Sequence, residues 1–387
     1  MRILFVVPSL VVGGIGKVTA SLANKFIEEH HSVCIFSFSE ADNALHNLFN
    51  DKIGISYGSD RRDIKSNTIA IKQIVEKEHI NLVINQNGLS IFQASAVYEA
   101  CKGHDTKIIT TYHNDPGHNN WIQKCNQQLW ATKNPLKRIV IKTKRLFWRV
   151  ASSLLMHYVY SHSDYYMLLS KHYIPTFCRM ALIRKSDRIL VQNNPVTLDR
   201  SDIDHKDNRE NIILYVGRLE EGQKRVSRIL EFWKLLHLEL TDWKLLLVGD
   251  GADRCEYEEF VAKNKIKNVY FEGFQSPYAY YKRASLFVMT SDYEGWPLVI
   301  GECKAYGCVP MVLGSYLSVT EIIDNERDGI IMPTPFDAKG WCEKILSLTN
   351  NPERIKEMSI EAEHNSHKFD IDVIYRQWES IFDRVCN

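Results

Sequence analysis

Glu294 and Glu302 stand eight positions apart in the stretch Thr290-Ser-Asp-Tyr-Glu-Gly-Trp-Pro-Leu-Val-Ile-Gly-Glu302. Pro297 suits the first position of a helix, where its missing N–H costs nothing and its fixed φ is already helical. The N–H groups of Leu298 and Val299 are then left unpaired at the helix start, a setting suited to an anion such as a diphosphate. Glu294, with Gly295 and Trp296, lies in the approach loop, and Glu302 about a turn into the helix. One carboxylate can therefore reach sugar hydroxyls on one side of the phosphates and the other a ribose on the far side. Gly307 closes the helix, and Val309–Leu313 returns as a buried strand. A plain loop–helix–strand with water-facing glutamates fits the same residues.

A second constellation is Leu214-Tyr-Val-Gly-Arg-Leu219 followed by Lys224. Gly217 and Arg218 come immediately after a buried strand, and Lys224 six positions beyond Arg218. Two cations of different shape suit a diphosphate leaving group, the guanidinium by planar paired donors and the ammonium as a point charge. Solvated loop bases are the alternative. Gly13-Gly14-Ile15-Gly16-Lys17 follows the first strand and opens a helix, so backbone N–H groups there can approach a phosphate or sugar closely. The spacing is not the dinucleotide Gly-x-Gly-x-x-Gly, and a tight turn without a ligand explains these glycines as well. His113 ends a strand in Thr-Thr-Tyr-His-Asn-Asp115, at the carboxyl edge where site residues gather, with Asn87, Asn114 and Asp115 as weaker candidates. With fourteen histidines present, a structural role for His113 stays open. No metal-ligating cluster is evident.

These motifs and their order resemble the retaining GT-B glycosyltransferases of family 4, over nearly the whole chain and most specifically over residues 211–331. The resemblance implies an α/β fold of two Rossmann-like, doubly wound parallel-sheet domains facing across a cleft, with the donor held mainly by the second and the acceptor by the first. Glu294 and Glu302 match the Glu-x7-Glu signature. Arg218 and Lys224 fall where the family neutralises the departing nucleoside diphosphate, and His113 where a histidine touches the transferred sugar and the phosphate. Gly13, Gly14 and Gly16 match a glycine loop near the donor diphosphate. Gly249, in Leu247-Val-Gly-Asp-Gly-Ala252, and Phe274-Gln275 match second-domain loops, the later one passing beside the base. One departure is that Arg225 follows Lys224 where the family commonly has glycine; another is Trp296 where phenylalanine is frequent. The implied activity is metal-independent, cofactor-free transfer of a hexose-type sugar from a nucleoside diphosphate donor, UDP by family frequency, to a glycan or lipid-linked hydroxyl in cell-surface polysaccharide or lipopolysaccharide biosynthesis. A nucleotide-sugar epimerase or hydrolase on the same fold, or a non-catalytic nucleotide-sugar binder, is the alternative.

Composition sets limits around this reading. A chain of 387 residues is long enough for two cores, and 45% hydrophobic with 25% charged residues is ordinary for a globular protein. A net charge of +1 argues against a globally nucleic-acid-binding surface. Nine scattered cysteines, without a Cys-x-x-Cys pair or a secretory leader, point to reduced thiols and the cytoplasm. From Pro116 to Ser163 there is no acidic residue, while bases from Lys124 to Arg149 are interleaved with Trp121, Trp130, Phe147 and Trp148. Bases with aromatics suit an anionic inner-leaflet surface or a lipid-linked diphosphate acceptor, and peripheral attachment to the membrane is expected. A solvated basic helix is the bland reading, and nucleic acid is matched poorly by the rest of the chain.

The elements that must position these residues alternate strand and helix, the pattern of a parallel sheet. Strands are expected at Ile3–Val7, Ser32–Phe38, Leu82–Asn85, Lys107–Tyr112, Tyr165–Leu169 and Arg188–Val191. A helix is expected over Gly16–His30, Ile64–His79 and Ile91–Cys101. The first domain is placed at 1–198, a polar linker at 199–210, and the second domain at 211–370. In the second domain a helix is expected over Arg225–Leu240, and the glycine-ended strands are Asn211–Val216, Trp243–Val248 and Val269–Glu272. A final helix, 371–387, is free to pack back on the first domain.

Overall fold

The computed structural model describes residues 1–11, 13–39, 43–198 and 209–386, which divide into two compact units. Met1–Thr197 and Phe369–Asn387 form the first, and Leu198–Lys368 the second. Most of the expected linker, 199–208, lies outside the described residues. Its last two residues are structural: Glu210 opens a strand, and Arg209 donates to the carbonyls of Ala284 (2.6 Å) and Tyr306. Phe369 and Asp370, read with the second domain, go with the first.

In the first unit the order is β1 (Arg2–Val7), α1 (Gly14–Glu28), β2 (Ser32–Ser37), α2 (Asn43–His46), β3 (Gly54–Tyr57), α3 (Ile64–Lys77), β4 (Leu82–Asn85), α4 (Ile91–Cys101), β5 (Lys107–Tyr112), α5 (Asn120–Ala131), α6 (Pro135–Ser161), β6 (Tyr165–Leu168), α7 (Ile174–Met180) and β7 (Ile189–Val191). The strands pair in parallel as β3-β2-β1-β4-β5-β6-β7. Apart from its first residue β1 is wholly buried, so both faces of the sheet are covered and its sequence is a continuous apolar run. Connections leave the β1/β4 boundary in opposite directions, and at such a switch point loops part at the carboxyl ends and make room for a ligand.

The second unit has β8 (Glu210–Val216), α8 (Val226–Leu236), β9 (Lys244–Val248), α9 (Arg254–Lys263), β10 (Val269–Gly273), α10 (Tyr278–Arg283), β11 (Ala284–Met289), α11 (Leu298–Ala305), β12 (Val309–Leu313), α12 (Val319–Ile322), β13 (Ile330–Met332), α13 (Ala338–Thr349) and α14 (Pro352–Ser366). Its sheet, again all parallel, runs β10-β9-β8-β11-β12-β13, with the switch at β8/β11. The core between sheet and helices is aromatic-rich: Trp233, Trp341 and Tyr215 are essentially fully buried, and Phe232 stacks on Trp341 at 5.3 Å. The chain then returns to the first unit as α15 (Ile371–Cys386), where Phe26 of α1 meets Trp378 and Phe382 edge-on at 5.6 and 5.2 Å. The Tyr375 hydroxyl and His31 Nε2 lie 2.9 Å apart, and Asp372 pairs with Lys25.

Several expected bounds differ. α1 begins at Gly14, two residues earlier than expected, because Gly13 in extended backbone serves as its cap. α8 starts after Arg225 rather than at it, since Arg225 is left-handed (φ +54°). β3, β13 and helices α5, α6, α13 and α14 carry no expectation in the alternation pattern. β3 is a four-residue edge with no fully buried position, and β13 has only three residues, so neither shows a period.

Candidate active site

The carboxyl ends of β8 and β11 carry the cationic and acidic candidates of the second unit. Gly217 (φ +156°) turns the chain out of β8, and its N–H donates to the Val248 carbonyl at 3.0 Å. A Cβ on Gly249 would lie 2.0 Å from the Gly217 carbonyl oxygen, so glycine at 249 is required by backbone crossing backbone, whatever else binds there. This crossing delivers Arg218 and then Lys224 to the strand edge. From β11 the chain runs through Thr290–Pro297, bringing Glu294 to the same edge.

There the side chains link up. Lys224 Nζ meets Glu294 Oε1 at 2.7 Å, with both side chains mostly buried. Gln223 Nε2 donates to the other Glu294 oxygen (3.3 Å) and to the Tyr293 carbonyl (2.9 Å). Its Oε1 accepts from Arg218 at 3.2 Å. Arg218, Gln223, Glu294 and Lys224 thus form one hydrogen-bonded chain. Arg218 is its solvent end, 63% exposed and also paired with Glu220 at 3.0 Å. Gln223 was not read from the sequence; its position beside Lys224 was the only available signal.

The loops carrying Lys224 and Glu294 are tied by a second set of charges. Arg225, in the left-handed region that favours glycine, donates through Nε to Asp292 (2.7 Å) and through Nη1 to Glu221 (3.0 Å). Arg228 meets the other Asp292 oxygen at 2.7 Å. The Thr290 hydroxyl donates to the Arg225 carbonyl at 2.9 Å, and the Asp292 N–H to the Gln223 carbonyl at 2.8 Å. Burial acts to lower the Arg225 pKa, but Asp292 and Glu221 outweigh it and the net shift is upward. The backbone at 225 therefore keeps the left-handed turn, at a strain on the order of 1 kcal/mol for a non-glycine residue, and ion pairs offset it.

Helix α11 begins one residue later than expected. Pro297 is its cap in extended conformation (φ −73°, ψ 103°) and Leu298 its first residue. Leu298 and Val299 still occupy the first turn, whose N–H groups have no carbonyl partner within the helix. At the other end Gly307 (φ +68°) donates to the Lys304 carbonyl (2.7 Å) and Cys308 to that of Cys303 (2.9 Å), the double bond of a Schellman cap. Glu302 is 2% exposed and accepts from the Tyr281 hydroxyl at 3.2 Å. Burial, and then the Glu302 charge, push Tyr278 up to about 12 and Tyr281 well above its ordinary value, so both remain donors. Phe274 is 72% exposed, and Gln275 is held in its own turn by the Glu272 carbonyl and by Tyr280.

In the first unit the glycine loop follows β1, Gln86 follows β4 and His113 follows β5, all at the carboxyl edge around the switch point. A Cβ on Gly13 would meet only the Val11 carbonyl oxygen, at an ordinary 3.9 Å. One on Gly16 would run into Leu45 at 2.6 Å and the same carbonyl at 2.8 Å, so packing alone accounts for glycine at 16. His113 Nε2 lies 2.5 Å from Gln86 Oε1. A carbonyl oxygen only accepts, so Nε2 carries the proton and Nδ1 keeps a lone pair in the neutral ring. Burial pushes the His113 pKa down to about 4. A neutral His113 can accept a hydrogen bond from a hydroxyl; it does not act as a cation. Asp115 is committed to the Gly117 N–H (2.7 Å) and to His118 (2.9 Å), and Asn114 to the Asp115 N–H.

The His113 shift has a signed consequence. Between pH 4 and the ordinary 6.5 the unfolded chain holds a proton on this ring and the folded chain does not, so this term makes stability rise with pH across that window. In His113→Gln the urea midpoint is expected to fall less between pH 7 and pH 5 than in the wild type. An equal fall in both would show that His113 titrates normally.

Among the described residues, no group of three or more His, Cys, Asp or Glu is placed to hold a metal ion.

Two parallel, doubly wound units with this carboxyl-edge site define a GT-B fold, and solved structures share it. The likeness to Anabaena Alr3699/HepE in complex with UDP has a TM-score of 0.78 at 13% identity, covering 99% of this chain and 100% of that one. The apo form of the lipopolysaccharide outer core galactosyltransferase WaaB gives 0.69 at 18%, covering 99% and 100%. At such identities the likeness shows the fold alone. Sequence goes further: residues 199–365, the stretch that carries the Arg218–Glu294 cluster, match the family described as Glycosyl transferases group 1. The chain is 30% identical over 182 residues to the amylovoran biosynthesis glycosyltransferase AmsD of Erwinia amylovora, covering 45% of this chain and 49% of that protein. It is 28% identical over 166 residues to the lipopolysaccharide 1,6-galactosyltransferase of Salmonella typhimurium, covering 41% and 45%. The chain thus spans about half the length of the curated relatives it matches.

Proposed function

We propose that this protein is a retaining glycosyltransferase that moves a hexose-type sugar from a nucleoside diphosphate donor, UDP-linked, to a hydroxyl of a glycan or lipid-linked acceptor. The observation that carries this reading is the buried Lys224–Glu294 pair, bridged by Gln223 to exposed Arg218, at the switch point of a group 1 glycosyltransferase domain. Two cations and the start of α11 can take up charge developing on a departing diphosphate, the kind of preorganised field that dominates many enzymatic rate enhancements. Glu294, paired with Lys224 at 2.7 Å, accepts from sugar hydroxyls, Glu302 takes the ribose, and neutral His113 accepts from a hydroxyl of the transferred sugar.

In the proposed step the bond from the anomeric carbon to the diphosphate oxygen breaks. The bond from that carbon to the acceptor oxygen forms on the same face, and the acceptor proton passes to the leaving phosphate. No metal and no organic cofactor is needed, so activity is retained in excess chelator. Relatives named for amylovoran biosynthesis and lipopolysaccharide galactosyl transfer support a place in cell-surface polysaccharide biosynthesis. The basic, aromatic-interleaved stretch 124–149 is the ground for proposing that the enzyme works in the cytoplasm, peripherally attached to the inner leaflet.

A thermal-shift screen of nucleotide sugars followed by product analysis tests this. The matching UDP-sugar raises the melting temperature by mass action, by about 2.7 kcal/mol of stabilisation at a hundredfold excess over Kd. Sugar then appears on an added lipid-linked acceptor with its anomeric configuration kept. Release of free or epimerised sugar without acceptor, or loss of turnover in chelator, would overturn the assignment.

A further inference from the structure

Helix α6 has two apolar faces, and among the described residues one of them is exposed. At 100° per residue, Ser152, Met156, Val159 and Tyr160 fall together and are buried in the first unit. Arg138 and Arg145 lie on that same side and are spent on α5, donating to the carbonyls of Leu129 (2.6 Å) and Thr132 (3.0 Å) and to Asn126 Oδ1 (3.1 Å). Trp121 of α5 stacks on Trp148 of α6 at 4.7 Å and fixes the hairpin. On the opposite side Leu136, Ile139, Val140, Phe147, Val150 and Leu154 fall within roughly 100° of arc and run about 27 Å along the helix. They are 51% to 74% exposed. Exposed Lys137 and Lys144 flank this stripe on one edge, and exposed Lys142 and Arg149 on the other. Trp130, at the end of α5, is 92% exposed.

We propose that α6 lies flat in the interface of an anionic lipid bilayer, its outer stripe sunk to the acyl boundary and its flanking bases on lipid phosphates. Insertion builds on the peripheral attachment and is independent of sugar transfer. Charge selects the occupant. A stretch without a single acidic residue from 116 to 163 repels a second copy of itself, whereas anionic lipid attracts each base near the surface. Nucleic acid would satisfy the bases and leave the apolar stripe in water. A bilayer satisfies both at once, because lysine stems run along apolar surface while their heads stay at the phosphates. The helix does not cross: among the described residues no helix is long and apolar enough for that.

Sedimentation of the full chain with vesicles tests the proposal. Binding is expected to vesicles with about one-third phosphatidylglycerol and to fall at least about tenfold in pure phosphatidylcholine or at high salt. Val140→Glu/Phe147→Glu, both on exposed positions, is expected to lower partitioning by about tenfold or more while leaving the nucleotide thermal shift intact. That second readout separates lost docking from lost folding and from failure of the glycosyltransferase reading. Equal binding to both vesicle types, no binding at low salt, or a double variant that binds like wild type would each overturn it. So would a lipid-free oligomer that the double variant abolishes, since that would make the stripe a protein interface.

Discussion

Lys224→Ala is expected to lower the rate of sugar transfer about a hundredfold or more, the usual cost of removing one preorganised donor to developing negative charge. Two effects add in this variant. In the proposed mechanism the departing diphosphate loses its more buried cation, because Arg218 is 63% exposed and screened by water. Glu294 also loses its lysine partner at 2.7 Å in a nearly closed setting, and a buried carboxylate stripped of that cation disturbs the loop that carries it. Gln223 still holds that loop through the Tyr293 carbonyl, so the fold should survive. The variant is therefore expected to keep its circular dichroism spectrum and to lose kcat more than it raises KM. Lys224→Arg should recover little, since a planar fork does not replace a point charge in a space shaped around Gln223 and Glu294. Steady-state kinetics decide the matter: a Lys224→Ala enzyme within about threefold of wild type would remove the basis of the proposed mechanism.

Asp328→Ala is expected to destabilise the second unit by about 3–5 kcal/mol, the typical result of stripping one partner from a buried ion pair. Lys304 and Asp328 are both fully buried, with Nζ 2.7 Å from Oδ2 and 2.6 Å from the Ile322 carbonyl. The other Asp328 oxygen accepts the Asp324 N–H at 2.8 Å. Lys304 stands two residues after Glu302 in α11, so this pair fastens the α12 turn to the helix that begins the proposed diphosphate site. Burial lowers the Lys304 pKa despite Asp328, which acts to raise it; without Asp328 it falls further. The unfolded chain then holds a proton on Lys304 that the folded variant sheds, so the variant's stability rises with pH below the ordinary value of 10.5. Urea unfolding at pH 7 and pH 9 should show a smaller deficit at the higher pH. Lys304→Met/Asp328→Leu should be less damaged than the single variant, because no charge is left stranded. A deficit below about 1 kcal/mol for Asp328→Ala would show that water reaches the pair.

What could be read from the amino acids alone was what local rules encode. Strands such as β1 and β11 are nearly continuous apolar runs, broken only by Arg2 and Ser285, because both faces of a parallel sheet are covered, and turns, caps and glycines punctuate them. The loop–helix–strand from Thr290 to Leu313 was legible for that reason, down to Gly307 as the residue that ends α11. Signals for α13 and α14 were also present, since Asp337 and Asn351 cap them and Pro352 opens the second.

Folding decided everything that depends on residues far apart in the chain meeting. Gln223 bridging Arg218 to Glu294, and Asp292 gripping Arg225 and Arg228, join positions some sixty to seventy residues apart. No period or spacing announces such pairs. The left-handed Arg225 shows the difference most directly: its sequence position marks only a missing glycine, whereas its ion pairs show why arginine can stand there. The same holds for α6, whose amphipathic pattern is doubled and whose inner face is identified only by what packs on it. Periodicity tells which residues share a side of a helix; only the packed chain tells which side is left for something else to cover.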